Sequence, residues 1–194
     1  MKICLYGASS NSIDKSYIET VEKLGKAMAE RGHTLVYGGG SGGLMGAVAR
    51  GMTEGRGEII GISPNFFKVD GELYDKCTEF IYTETMSERK KLLEDMSDAF
   101  IVAPGGPGTF DELFETLALR QLGIHHKPIA LFNVNGYYNH LSLMLKTAAD
   151  QKFMIKDCLE LTPLFDSIDE MLSYLENYDG SNMEFSVLRK LDKE

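Results

Sequence analysis

The 194-residue chain is 43% hydrophobic, enough for one well-buried domain and little for two. Its net charge of −9 and pI near 5.0, with no basic run longer than Arg89-Lys90-Lys91, argue against a non-specific nucleic-acid binder and against attachment to an anionic membrane. Three scattered cysteines (Cys4, Cys77, Cys158) without C-x-x-C spacing read as reduced thiols of a cytoplasmic protein, and neither a signal peptide nor a membrane span is expected.

In chain order, 2–6 is an apolar run ended by Gly7-Ala8-Ser9-Ser10-Asn11. A helical stripe of Ile18, Val21, Leu24 and Met28 follows and ends near Arg31-Gly32. A second strand at 34–37 runs into Gly38-Gly39-Gly40-Ser41-Gly42-Gly43, and 44–52 reads as a small-residue helix closed by Gly55. Residues 58–62 form a third strand, broken by Ser63-Pro64, and 80–82 a fourth, leading to a charged helix over 86–96. Next come a strand at 99–103, a helix at 110–122, a strand at 128–132 and a helix at 137–149. The last elements are 159–161, a helix around 168–175 and a polar tail from Asn177.

Strands alternate with helices, and the strands are continuous apolar runs, as in a parallel sheet buried on both faces. The expected fold is therefore α/β: a Rossmann-like doubly wound parallel sheet with helices on both faces. It forms a single domain over 1–176, with a tail of unassigned role over 177–194. Ligands of such sheets bind beyond the carboxyl ends of the strands. Three glycine- or serine-rich turns, 7–11, 38–43 and 104–109, leave those ends and should meet on one rim. Their candidate phosphate and ribose ligands include Gly7, Ser9, Ser10, Gly39, Gly40 and Gly43.

The second turn formally matches G-x-G-x-x-G through Gly38, Gly40 and Gly43, but it follows the second strand, and no ribose-holding acid ends the next one. No Gly-Lys-Ser/Thr completes a P-loop. What remains is a turn whose amides cradle one phosphate at a helix start, or glycines serving a tight turn alone. In the third turn, Pro104-Gly105-Gly106-Pro107-Gly108-Thr109-Phe110-Asp111-Glu112, glycines let the backbone approach a ligand and a carboxylate sits one turn into the helix. Thr109-x-x-Glu112 equally fits a capping box. Arg89, at the start of the 86–96 helix, suits a grip on phosphate or belongs to a solvated charged face. The four histidines offer no zinc spacing, so neither a metal nor another cofactor is expected.

Together, Tyr37-Gly38-Gly39-Gly40-Ser41-Gly42-Gly43-Leu44-Met45-Gly46, Arg89-Lys90, Ser97-Asp98-Ala99-Phe100 and Pro104-Gly105-Gly106-x-Gly108-Thr109-x-x-Glu112 resemble the LOG family of cytokinin riboside 5′-monophosphate phosphoribohydrolases. Gln121-Leu122-Gly123-Ile124-His125 and Asn133-Val134-Asn135-Gly136-Tyr137-Tyr138 resemble it too. The resemblance spans about 1–175 and implies metal-free hydrolysis of the N-glycosidic bond of AMP or N6-prenylated AMP, in a homodimer. It places the catalytic residues at Arg89 and Glu112. Phosphate and ribose contacts fall on Gly105, Gly106, Gly108 and Thr109, with Lys90 beside the arginine. By the same resemblance a further acidic substrate contact would fall near Glu72, and Met86 and Asp111 would complete the candidate base pocket. Ala118-Leu119 and Ser87 depart from the family pattern of Thr-Trp and His, and are expected to alter that pocket.

Such a reaction builds oxocarbenium character on the ribose, which Glu112 would stabilise, or it would activate water, while Arg89 would ease departure of the base. A non-catalytic nucleotide or cofactor carrier of the same fold is the alternative. A pyridoxal-dependent decarboxylase would need a Schiff-base lysine and a partner for the pyridine nitrogen, and no such set is recognisable.

Overall fold

A computed structural model describes residues 1–68 and 71–180. Seven parallel strands form one sheet: β1 (Lys2–Tyr6), β2 (Thr34–Tyr37), β3 (Ile59–Pro64), β4 (Glu79–Thr83), β5 (Ala99–Val102), β6 (Ile129–Phe132) and β7 (Leu164–Phe165). Among the described residues six α-helices flank the strands: α1 (Lys15–Glu30), α2 (Gly43–Glu54), α3 (Met86–Asp95), α4 (Pro107–Gln121), α5 (Asn139–Asp150) and, after β7, α6 (Ile168–Glu176). The strand order is β4-β3-β2-β1-β5-β6-β7. The chain winds outward from β1 to β4, crosses back to β5, and winds the other way. Its topological switch point lies between β1 and β5, where a ligand crevice opens.

Alternation along each strand sorts the core into two layers. Ile3 and Leu5 of β1 face α1, α2 and α6, packing with Leu24, Val48 and Leu172. Cys4 and Tyr6 face α3 and α4, packing with Leu93, Leu113 and Leu117. Helix α2 buries Leu44, Ala47, Val48, Ala49 and Met52, so small residues let it press against α1. A Cβ at Gly51 would stand 1.9 Å from the Glu22 carbonyl oxygen, and one at Gly25 2.2 Å from that of Val48.

The expected doubly wound parallel sheet is thus present, with four local differences. Strand β3 runs through Ser63 to Pro64, because Pro64 closes the strand where its missing N–H costs nothing to the ladder. Helix α4 begins at Pro107 rather than 110, since proline suits the first helical position behind the Gly106 N-cap. Residues 134–136 form a 3₁₀ turn, so α5 starts at Asn139 rather than 137. Residues 156–161 are a 3₁₀ helix, and the last strand is the two-residue β7 just after Pro163. Of the expected tail, 181–194 lies outside the described residues, and no helix among those described is long and apolar enough to cross a membrane.

Candidate active site

The three turns meet beyond the strand ends around a cleft of about 750 Å³. Of the expected site residues, Gly7, Ser9, Ser10, Gly40, Glu72, Met86, Arg89, Gly106, Gly108, Thr109, Asp111 and Glu112 line it. Gly39, Gly43, Lys90 and Gly105 do not.

Arg89 and Glu112 form the cleft's buried charge pair. Thr85 caps α3, accepting from the Glu88 N–H, while the Glu88 carboxylate accepts from the Thr85 N–H. That cap sets the first turn that carries Arg89 inward. Its Nε donates to the Ile62 carbonyl at 3.2 Å, and Nη1 donates to Glu112 Oε1 at 2.9 Å. The two side chains are only 10% and 11% exposed. A buried charge is tolerated when paired, and removing one partner costs about 3–5 kcal/mol. Burial pushes the Glu112 carboxyl above the ordinary carboxylate range, with Arg89 the main opposing influence.

The capping-box reading of Thr109 and Glu112 is excluded. Gly106 is the N-cap of α4 without a side-chain cap, Thr109 lies inside the helix, and Glu112 bonds Arg89. The solvated-face reading of Arg89 fails for the same reason. Behind Glu112, Thr116 Oγ1 donates to the Glu112 carbonyl at 2.9 Å and stands 3.1 Å from the Tyr6 hydroxyl, which is left to donate to it. His125 Nε2 donates to the Thr116 carbonyl, and burial lowers its pKa to about 4, so the ring is neutral.

The two glycine loops differ in their free donors. At the start of α2 the Leu44 and Met45 N–H groups donate to the Ala8 carbonyl, and the Gly43 N–H donates to Asn11 Oδ1. These three amides are engaged by the protein, while Gly40 and Gly42 of the same turn face the cleft. Gly43, at φ +55, instead lets that turn press on residues 8–10. At the start of α4, the Gly108 and Thr109 N–H groups have no intrahelical acceptor, and both residues face the cleft. Free N–H groups at a helix start are suited to an anion.

Lys90 turns onto α4, pairing with Asp111 at 3.0 Å and Glu115 at 2.6 Å, so it ties α3 to α4 rather than reaching the cleft. Glu72 lines the cleft beside the second glycine turn. There, Ser41 donates from its N–H to the Glu72 carbonyl and from Oγ to the Gly71 carbonyl, and the Tyr74 N–H donates to the Gly39 carbonyl. Ser87, Ala118 and Leu119 do not line the cleft, so those departures lie away from its described wall. Gly38 was absent from the expected ligands. A Cβ there would stand 2.1 Å from Arg89 Nη2, so the residue is the floor on which the guanidinium rests. Its place in the second glycine turn marked it, but not its partner.

Residues 45–175 match a family model described as possible lysine decarboxylase. A probable cytokinin riboside 5′-monophosphate phosphoribohydrolase of Oryza sativa subsp. japonica is 38% identical over 177 residues, covering 91% of this chain and 71% of the relative. The chain belongs to the LOG family. A second LOG relative, the cytokinin riboside 5′-monophosphate phosphoribohydrolase of Arabidopsis thaliana, is 34% identical over 184 residues, covering 95% of this chain and 86% of its own. Among solved structures, the molybdenum cofactor carrier protein of Chlamydomonas reinhardtii superposes with a TM-score of 0.70 at 20% identity, over 90% of this chain and 95% of that one. A molybdenum cofactor binding protein of Rippkaea orientalis gives 0.69 at 20% identity, over 90% and 94%. These two share the fold of this LOG member and carry no closer argument.

Proposed function

We propose that this protein hydrolyses the N-glycosidic bond of adenosine 5′-monophosphates, AMP or its N6-prenylated forms, to the free base and ribose 5-phosphate. The observation that carries this reading is the buried Arg89–Glu112 pair, set in the same cleft as the uncapped start of α4. The 5′-phosphate sits on the amides of Gly106, Gly108 and Thr109, and its binding energy holds the ribose carbon in place. The bond from that carbon to the purine nitrogen breaks, its electron pair leaving with the purine. Water adds to the carbon, and one proton of the water ends on the purine. Glu112 faces the positive charge that grows on the sugar, or takes the proton of the attacking water. A carboxylate raised by burial is the stronger base. Arg89 favours the ionised form of that carboxylate against burial and offers positive charge to the departing base.

The carrier reading draws on fold likeness alone, whereas the catalytic reading draws on relatives at 34–38% identity and on the carboxylate itself. The decarboxylase label finds no support in the residues: a pyridoxal Schiff base needs a lysine, and none lines the cleft among the described residues. The working unit in this reading is a homodimer in the cytoplasm, and the exposed Phe114 of α4 and Leu143 and Met144 of α5 support the subunit contact. The deciding experiment is a panel of AMP, prenylated AMP and adenosine with chromatographic identification of products. Base and ribose 5-phosphate released in equal amounts from a monophosphate support the reading, and bound nucleotide recovered intact would favour the carrier.

A further inference from the structure

The segment Asn133-Val134-Asn135-Gly136-Tyr137-Tyr138 lies outside the cleft wall, yet it is fastened with unusual thoroughness. Asn133 Oδ1 accepts from the Tyr138 N–H at 2.8 Å, and Asn133 Nδ2 donates to both Asn139 and Asp166. Asn135, at φ +54, donates from Nδ2 to Ser16 Oγ of α1. The Tyr137 ring meets Tyr17 and Tyr138 edge-on, with centroids 6.3 and 5.1 Å away. Both tyrosine hydroxyls are thereby aimed at the loop before α4.

Three successive carbonyls of that loop are held. Tyr138 Oη donates to Ala103 O at 2.8 Å, the Ala8 N–H donates to Pro104 O at 3.0 Å, and Tyr137 Oη donates to Gly105 O at 2.6 Å. A trans peptide is planar, with its C=O and N–H pointing in opposite directions. Holding Gly105 O toward Tyr137, which does not line the cleft, points the Gly106 N–H away from Tyr137, and Gly106 itself lines the cleft. The bond from Tyr138 has no such consequence, because the next residue, Pro104, has no N–H to aim.

We propose that Tyr137 is a positioning residue for the phosphate loop: its hydroxyl fixes the Gly105–Gly106 peptide so that one backbone N–H faces the substrate's phosphate. The proposal rests on the reading that the nucleotide's phosphate binds at the start of α4. The neighbouring Tyr138 supplies the internal control, since it makes a similar bond to the same loop with a structural outcome only.

The test compares wild type, Tyr137→Phe and Tyr138→Phe by kinetics with AMP and by calorimetric binding of AMP and adenosine. Tyr137→Phe is expected to raise KM and Kd for AMP about five-fold, the worth of one hydrogen bond, with kcat within about two-fold and adenosine binding unchanged. Tyr138→Phe is expected to lower Tm and leave the preference for AMP over adenosine intact. Unchanged AMP affinity in Tyr137→Phe overturns the proposal, as does an equal loss for AMP and adenosine. Wild type binding AMP no more tightly than adenosine would remove the phosphate site itself and the proposal with it. The binding arm needs no turnover, so a protein that only carries nucleotide is tested as well.

Discussion

Arg89 Nη1 donates to Glu112 Oε1 at 2.9 Å between two helices, α3 and α4, that come from opposite sides of the sheet's switch point. Residues 23 positions apart thus form the only described charge pair whose partners both line the cleft. Its surroundings make the carboxylate unusual: burial drives it toward the neutral form, and the guanidinium holds it back.

Glu112→Gln keeps the shape and a carbonyl acceptor for Arg89 but removes the charge. Turnover should fall at least about 100-fold, the usual contribution of a placed acid or base, with the circular dichroism spectrum unchanged. The stability effect has a definite sign. A folded carboxyl with a raised pKa adds stability that is fully present below its unfolded pKa and is lost as pH rises through the folded one. The Tm difference should therefore move in favour of the glutamine variant as pH rises above the ordinary carboxylate range.

Catalysis that needs ionised Glu112 rises with pH through the pKa of that group. The acid limb of kcat/KM should lie above the ordinary carboxylate range in wild type. Arg89→Met removes the leading influence that lowers it, so the limb of the residual activity should move to higher pH. A limb that stays in place would detach Arg89 from the ionisation of Glu112.

Gly38→Ala is a test of the floor under the guanidinium. The new methyl group would meet Arg89 Nη2 and Met45 Cε, at 2.1 and 2.6 Å, both ends of flexible side chains. The fold should survive while the arginine is displaced, and turnover should drop about 10- to 100-fold. Steady-state kinetics with Tm measured alongside separates this from unfolding.

Gly51→Ala should do the opposite. Its Cβ would stand 1.9 Å from the Glu22 backbone carbonyl, which cannot swing away, so α1 and α2 must part. A stability loss of about 1–3 kcal/mol is expected by urea denaturation, with unchanged turnover per folded molecule.

Most of the fold was legible because its strands are uninterrupted apolar runs such as Phe100-Ile101-Val102, which only a sheet covered on both faces accommodates. Strand β7 was not, since two residues after a proline carry no periodicity. The start of α4 lies inside the glycine-rich turn expected over 104–109, and Pro107 is the signal that a helix opens there. Three features of the site depend on distant partners and leave no local mark: the hold of Asn11 and Ala8 on the amides of α2, the turn of Lys90 onto α4, and the rest of Arg89 on Gly38.

The most direct measurement mixes AMP with an excess of protein and follows adenine and ribose 5-phosphate in a single turnover, for wild type and Glu112→Gln side by side. Wild type should release both products in equal amounts while the variant keeps AMP intact. AMP recovered unchanged from wild type, or equal release by both proteins, would contradict a reaction that depends on the Glu112 carboxylate.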